Sequence, residues 1–114
     1  MPHFLLHTTQ ETISSEREDE ILMAVHETAF ASGLFKEDDI KVRVERFEKS
    51  TVGGKMNHPF VHVFAYIMQG RSTEQKAVLS ESIVHCLQKL LPGISPIAMN
   101  VSDFEAATYY NPSK

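Results

Sequence analysis

Cysteine is nearly missing from this chain. Cys86 stands alone, so no internal disulfide can form, and the composition suits a reducing, cytoplasmic compartment. Its neighbours read as a helix, which makes it a small buried side chain. Long apolar runs are missing too. Nothing approaches the roughly 18 consecutive apolar residues that a spanning helix needs, and the opening MPHFLLHTTQ lacks the basic flank and small-residue cleavage site of a signal peptide. Positive charge is in deficit, with a net charge of −4. That excludes a general nucleic-acid binder, which presents a basic face. The six histidines, His3, His7, His26, His58, His62 and His85, stand in no Cys/His/carboxylate set with metal-ligand spacing, so no metal is expected. A serine elbow, a phosphate loop and paired catalytic carboxylates are likewise absent.

What remains is enough for one small domain over residues 1–114. Apolar residues make up 42% of the 114, which provides a core, and charged residues at 23% argue against disorder. A chain this short buries a modest share of its surface, so oligomerisation would help it.

The order of elements follows from periodicity. Pro2 to His7 is short and apolar, a strand. Ser15 and Glu18 have capping-box spacing, and Ile21, Leu22, Val25, Ala29 and Phe30 recur at helical spacing, which predicts a helix over Glu16–Ser32 closed by Gly33. IKVRVERF alternates strictly, a half-buried strand over Ile40–Phe47. Gly53-Gly54 marks a loop or a hairpin tip. Phe60–Met68 is a second apolar strand. Ser72 and Gln75 repeat the capping-box spacing before a helix carrying Leu79, Ile83, Leu87 and Leu90, and Pro92-Gly93 ends it. Ile97, Met99 and Val101 alternate as a fourth strand.

The strand-helix-strand order therefore occurs twice, and the sequence carries a matching internal repeat. Shifting the chain by 57 residues, half its length, brings Pro2 onto Pro59, Ser15 onto Ser72, Leu22 onto Leu79, Ile40 onto Ile97 and Phe47-Glu48 onto Phe104-Glu105 without a gap. These identities fall at equivalent structural points. They predict an α+β fold built from a duplicated β-α-β unit, with pseudo-repeats over about 2–57 and 59–114. One helix per half covers one sheet face. The other face, with Lys41, Arg43, Glu45, Asn100 and Ser102, is either solvated or meets other subunits.

Few residues can carry chemistry. Met followed by the small residue Pro2 is readily processed, and the exposed nitrogen is then a secondary amine. A free α-amino group titrates near ~8, and burial lowers that value, because desolvation disfavours the cation. Such an amine serves as a general base near neutral pH. While Met1 remains, the same nitrogen is an amide and cannot. Arg71, in Gly70-Arg71-Ser72, lies between a strand and a helix N-terminus. It is either an exposed strand-end arginine or a bidentate carboxylate ligand. Lys41 and Arg43 share the polar face of their strand, where they either pair with Glu45 or bind an anion.

Taken together, Met1-Pro2-His3-Phe4, Ile40-Lys41-Val42-Arg43-Val44, Phe60-Val61-His62 and Gly70-Arg71-Ser72 resemble the tautomerase superfamily, and within it the 5-carboxymethyl-2-hydroxymuconate isomerases. GRSTEQKAVL also resembles the segment after the first strand of 4-oxalocrotonate tautomerases. The resemblance spans nearly the whole chain. It implies a four-stranded sheet backed by two helices, and a homotrimer whose three sheets face inward as a barrel. It implies a cofactor-independent isomerase of aromatic catabolism in which Pro2 shuttles a proton and Arg71 and Arg43 hold the substrate's carboxylate. Lys41 stands where the muconate isomerases carry another arginine, which keeps the cation but loses the fork geometry. Phe60 is placed by analogy in an apolar wall near the proline. The tail with Tyr109, Tyr110 and Asn111 is similar instead to macrophage migration inhibitory factor relatives, and is expected to line a neighbouring subunit's pocket. Two other readings stay open: a decarboxylase or hydratase using a protonated proline on the same fold, and a non-enzymatic trimeric binding protein.

Overall fold

A computed structural model describes residues 1–113. Four strands form one mixed sheet in the order β2-β1-β5-β6, where β1 is His3–Thr9, β2 is Lys41–Phe47, β5 is Val61–Met68 and β6 is Ile97–Phe104. The middle strands β1 and β5 run antiparallel, and each has its own half's second strand parallel on its outer side. Helices α1 (Ser15–Ala31) and α2 (Thr73–Leu90) are the crossovers that parallel pairing requires. Between the halves a small hairpin, β3 (Thr51–Val52) and β4 (Lys55–Met56), turns through Gly53-Gly54.

Alternation decides which face the helices cover. Along β1, Phe4, Leu6 and Thr8 are buried, while His3, Leu5 and His7 are half-exposed. Val61, Val63, Ala65 and Ile67 do the same for β5. Of these, Phe4, Leu6, Val61, Val63 and Ala65 meet Ile21, Val25 and Ala29 from α1 and Leu79, Ile83 and Leu87 from α2 in one core. Each large aliphatic side chain buried there stabilises the fold by about 1.5–3 kcal/mol.

The helices are antiparallel and tied at their ends. Arg17 Nη1 donates to the Leu90 carbonyl at 2.6 Å. Arg46 of β2 holds the start of α1, through Glu18 at 3.1 Å and the Ile13 carbonyl at 2.9 Å. Helix α2 starts in the capping box expected of Ser72 and Gln75, with both reciprocal bonds present. Helix α1 starts one residue earlier than expected. Ser14, not Ser15, is its cap, and its hydroxyl accepts from the Arg17 amide at 3.3 Å. Arg17 at the third position cannot reciprocate, so α1 has a cap but no box. Gly33, at φ 77°, turns the chain out of α1. Cys86 is half-buried rather than buried.

The second sheet face has no helix over it. Parallel register aligns His3, Leu5 and His7 with Lys41, Arg43 and Glu45. Antiparallel register sets them beside Tyr66, Phe64 and His62. The Phe64 ring lies 4.9 Å from His7 and 4.4 Å from His62. This face therefore mixes cations with half-buried aromatic rings. Among the described residues no helix is long and apolar enough to cross a membrane.

Candidate active site

The chain begins at one end of the sheet, and the topology brings several distant segments there. Pro2 is buried, and its carbonyl accepts the Lys41 amide at 3.1 Å, which extends the β1–β2 pairing by one step. The terminal amine of Met1 lies 3.7 Å from the Asp39 carboxylate, whose side chain is only 11% exposed. Asp39 closes a short 3-10 turn, Glu37–Asp39, just before β2. The Tyr109 hydroxyl donates to the Met1 sulfur at 3.0 Å, so the C-terminal segment covers the same end. With Met1 in place the Pro2 nitrogen is an amide.

Lys41 and Arg43 both project from the uncovered face. Lys41 Nζ donates to the Asp39 carbonyl at 2.9 Å. Arg43 Nη1 donates to His3 Nδ1 at 3.2 Å, which requires that nitrogen to carry a lone pair rather than a proton. Burial and the charges of Arg43, Lys41 and the N-terminus together push the His3 pKa below its ordinary 6.5, in keeping with an accepting, neutral ring. His3, Leu5, Arg43, Tyr66, Phe104 and Tyr109 line an open hollow of about 400 Å³. Its walls are mainly apolar, with a guanidinium at one side.

Arg71 follows β5, whose last residues lie opposite the start of β1. Gly70 precedes it at φ 122°, a conformation that side chains rarely adopt, and this turns Arg71 back over the sheet end. Its guanidinium donates to the Leu34 carbonyl at 2.6 Å and the Met68 carbonyl at 3.2 Å. It also sits 5.2 Å above the Phe35 ring, which in turn packs edge-on against Phe4. These two bonds use two of the five donors of an arginine. The group is thus held rigidly beside β1 rather than swinging in solvent.

Four of the five residues singled out in the sequence, Pro2, Lys41, Arg43 and Arg71, accordingly lie at one end of the sheet. Phe60 does not. Thr8 donates its hydroxyl to the Phe60 carbonyl at 2.7 Å, and the antiparallel register puts that contact six residues along β1 from Pro2, about 20 Å at ~3.3 Å per residue. Within one chain Phe60 lines a different hollow, with Ser50, His62 and Pro96. A larger groove of about 560 Å³ runs between the end of α1 and the start of α2. Its charged wall residue is Glu74, which repels a carboxylate. The sequence reading passed over Asp39 and His3. His3 was legible in principle, since parallel pairing of the first two strands aligns it with Lys41. Asp39 lies in the acidic run Glu37-Asp38-Asp39, which carries no motif spacing. Among the described residues no group of three or more His, Cys, Asp or Glu side chains could hold a metal ion.

Comparison with known proteins locates this arrangement. The sequence profile of 5-carboxymethyl-2-hydroxymuconate isomerase matches residues 2–106. A search of curated proteins found no match. Among solved structures, a protein crystallised after inactivation by 2-oxo-3-pentynoate superposes with a TM-score of 0.86 at 18% identity, covering 96% of this chain and 90% of the other. A fused wild-type 4-OT, a symmetric trimer, gives 0.82 at 18% identity, covering 94% and 91%. A macrophage migration inhibitory factor-like protein from Entamoeba histolytica gives 0.78 at 17% identity, covering 96% and 94%. At these identities the structures establish the fold alone, that of the tautomerases.

Proposed function

The chain belongs to the 5-carboxymethyl-2-hydroxymuconate isomerase family, and from that membership we propose that it moves a proton within an unsaturated 2-hydroxy or 2-oxo carboxylic acid, with the Pro2 amine, freed by removal of Met1, as the base. The observation that carries the reading is the gathering of Lys41, Arg43 and Arg71 around the sheet end where a buried Pro2 begins the chain. A protein of the same fold is inactivated by the 2-oxo acid 2-oxo-3-pentynoate, which supports a site for acids of that class.

The cycle needs only these groups. The substrate carboxylate docks on the guanidinium of Arg43 or Arg71. Neutral Pro2 takes a proton from the hydroxyl, or from the carbon beside the carbonyl, and becomes a secondary ammonium. Negative charge moves onto the oxygen and is stabilised by the fixed cations, a contribution that often dominates catalysis. The ammonium then returns its proton at a distant carbon of the conjugated chain, and Pro2 is neutral again. Lys41 offers charge without a fork, so it suits the oxygen where charge develops better than a planar carboxylate.

A homotrimer belongs to the same proposal. It would cover the mixed apolar and cationic sheet face, and a neighbour could bring Phe60 or the Tyr109–Asn111 tail to a site that one chain leaves open. Mass spectrometry of the cell-derived N-terminus, with ketonisation assays on phenylenolpyruvate and on a 2-hydroxymuconate, tests the reading. Protein starting at Pro2 should turn over. Protein retaining Met1, or acylated at Pro2, should not, and normal turnover by either would remove the proline from the mechanism.

A further inference from the structure

We propose that Asp39 is the counter-ion of the freed Pro2 amine and so a further member of the site, which stabilises the ammonium that carries the proton between its removal and its return. The inference rests on the proline-base reading and adds a residue that neither the sequence pattern nor the family match assigns.

The geometry is as follows. Asp39 Oδ2 lies 3.7 Å from the terminal amine of Met1. Parallel register pairs His3 with Lys41, so Asp39 lies one step beyond the residue opposite Pro2. Both partners are pinned. The Pro2 carbonyl is held by the Lys41 amide at 3.1 Å, and the Asp39 amide is held by the Lys36 carbonyl at 3.0 Å. Removing Met1 shifts the amine by one residue, at most ~3.6 Å. The carboxylate therefore lies within about 7 Å of the new amine, a bound that a change of Asp39 rotamer can shorten. An opposite charge at ~4–6 Å favours the protonated amine.

Other groups face this amine, and their balance decides the sign. Lys41 of β2 is cationic and opposes protonation, but it is exposed, so solvent and salt screen it. Arg71, from the segment after β5, is a second cation that opposes protonation, with two of its donors bonded to the Leu34 and Met68 carbonyls. His3 on β1 accepts from Arg43 and is neutral at ordinary pH. Among these described residues Asp39 is the anion, and its side chain is nearly buried, where charges are least screened. It therefore offsets the effect of burial on the amine. The proton taken from substrate stays on Pro2, held by the Asp39 carboxylate, instead of leaking to solvent.

The test uses the protein with Met1 removed, as verified by mass spectrometry. The Pro2 amine is titrated by NMR of protein labelled with 15N-proline, and the ascending limb of kcat/KM against pH is recorded in parallel. Asp39→Asn should move both titrations to lower pH by about one unit, a tenfold change in protonation equilibrium. Asp39→Glu, which keeps the charge, should leave them near the native position. Thermal melting reports whether the variants fold. An unmoved amine titration in folded Asp39→Asn overturns the proposal. If that variant fails to fold, Asp39→Ser takes its place in the same titration: an unmoved amine overturns the proposal, and a shift to lower pH by about one unit supports it. Normal turnover by Pro2→Ala would instead overturn the proline-base reading, and the NMR comparison would still judge Asp39 on its own.

Discussion

At the scale of single residues, His3 and Arg71 show how one side chain serves both fold and site. His3 is neutral when it accepts from Arg43, and its folded pKa lies below 6.5. Between those two values the unfolded chain binds more protons than the folded one, so stability falls as pH drops below about 6.5 and levels off below the folded pKa. The same protonation removes the Arg43 acceptor. The KM for a carboxylate substrate should therefore rise as pH falls through the folded His3 pKa, which lies below 6.5, and in His3→Gln this rise should flatten. An unchanged profile in His3→Gln would show that the ring does not orient Arg43. Arg71 couples in another way. Its bonds to the Leu34 and Met68 carbonyls and its place over Phe35 mean that Arg71→Ala should lower unfolding stability by about 1–3 kcal/mol. It should also reduce kcat/KM at least ~100-fold, as loss of a donor to developing charge commonly does. Arg71→Lys should keep most of the stability but little of the activity, since an ammonium cannot fork between carbonyls and substrate. Calorimetry and steady-state kinetics on both variants separate the two roles.

At the scale of elements, periodicity read from the sequence located the strands and helices, because burial on one face is what writes period into a chain. It did less well where two adjacent residues compete. Ser14 and Ser15 are both able caps, and Ser15 with Glu18 has the spacing of a box. The helix begins at the earlier one, because Arg46 draws Glu18 toward the Ile13 carbonyl rather than back to the cap. Ser14→Ala should thus cost about 1 kcal/mol in chemical denaturation, and Ser72→Ala, which breaks a reciprocal box, about 1–2 kcal/mol. Ser15→Ala should cost nothing measurable. Equal losses at Ser14 and Ser15 would refute this assignment. Register is where sequence reading ran out. Nothing local says that β5 runs antiparallel to β1, yet that direction sends Phe60 to the far end of the sheet and brings Arg71 to the near one. Asp39 was hidden for the same reason. Its partner is the chain terminus, 38 residues away in sequence, and no spacing rule connects them.

At the scale of the whole molecule, the uncovered sheet face is the feature that a single chain leaves unexplained. Its centre is Phe64, ringed by His7 and His62, with Leu5 and Tyr66 beside it. Aromatic rings in such a place fit an interface core bounded by the polar groups of Lys41, Glu45 and Asn100. The helical face buries its apolar residues against the sheet, so assembly through the bare face is what would complete each chain's cover. Phe64→Lys tests this directly. A lysine there is strongly hydrated and faces two histidines, so burying it against a neighbour is costly. In a monomer the same side chain simply reaches water. The variant should therefore fold with a nearly native melting profile at high dilution yet sediment as a monomer, where the native chain is expected to sediment as a trimer. Its kcat/KM should fall at least ~10-fold, as expected if a neighbour supplies Phe60 or the tail tyrosines for positioning substrate. A variant that remains trimeric would place the interface elsewhere. A monomer with undiminished turnover would mean that one chain holds the complete site.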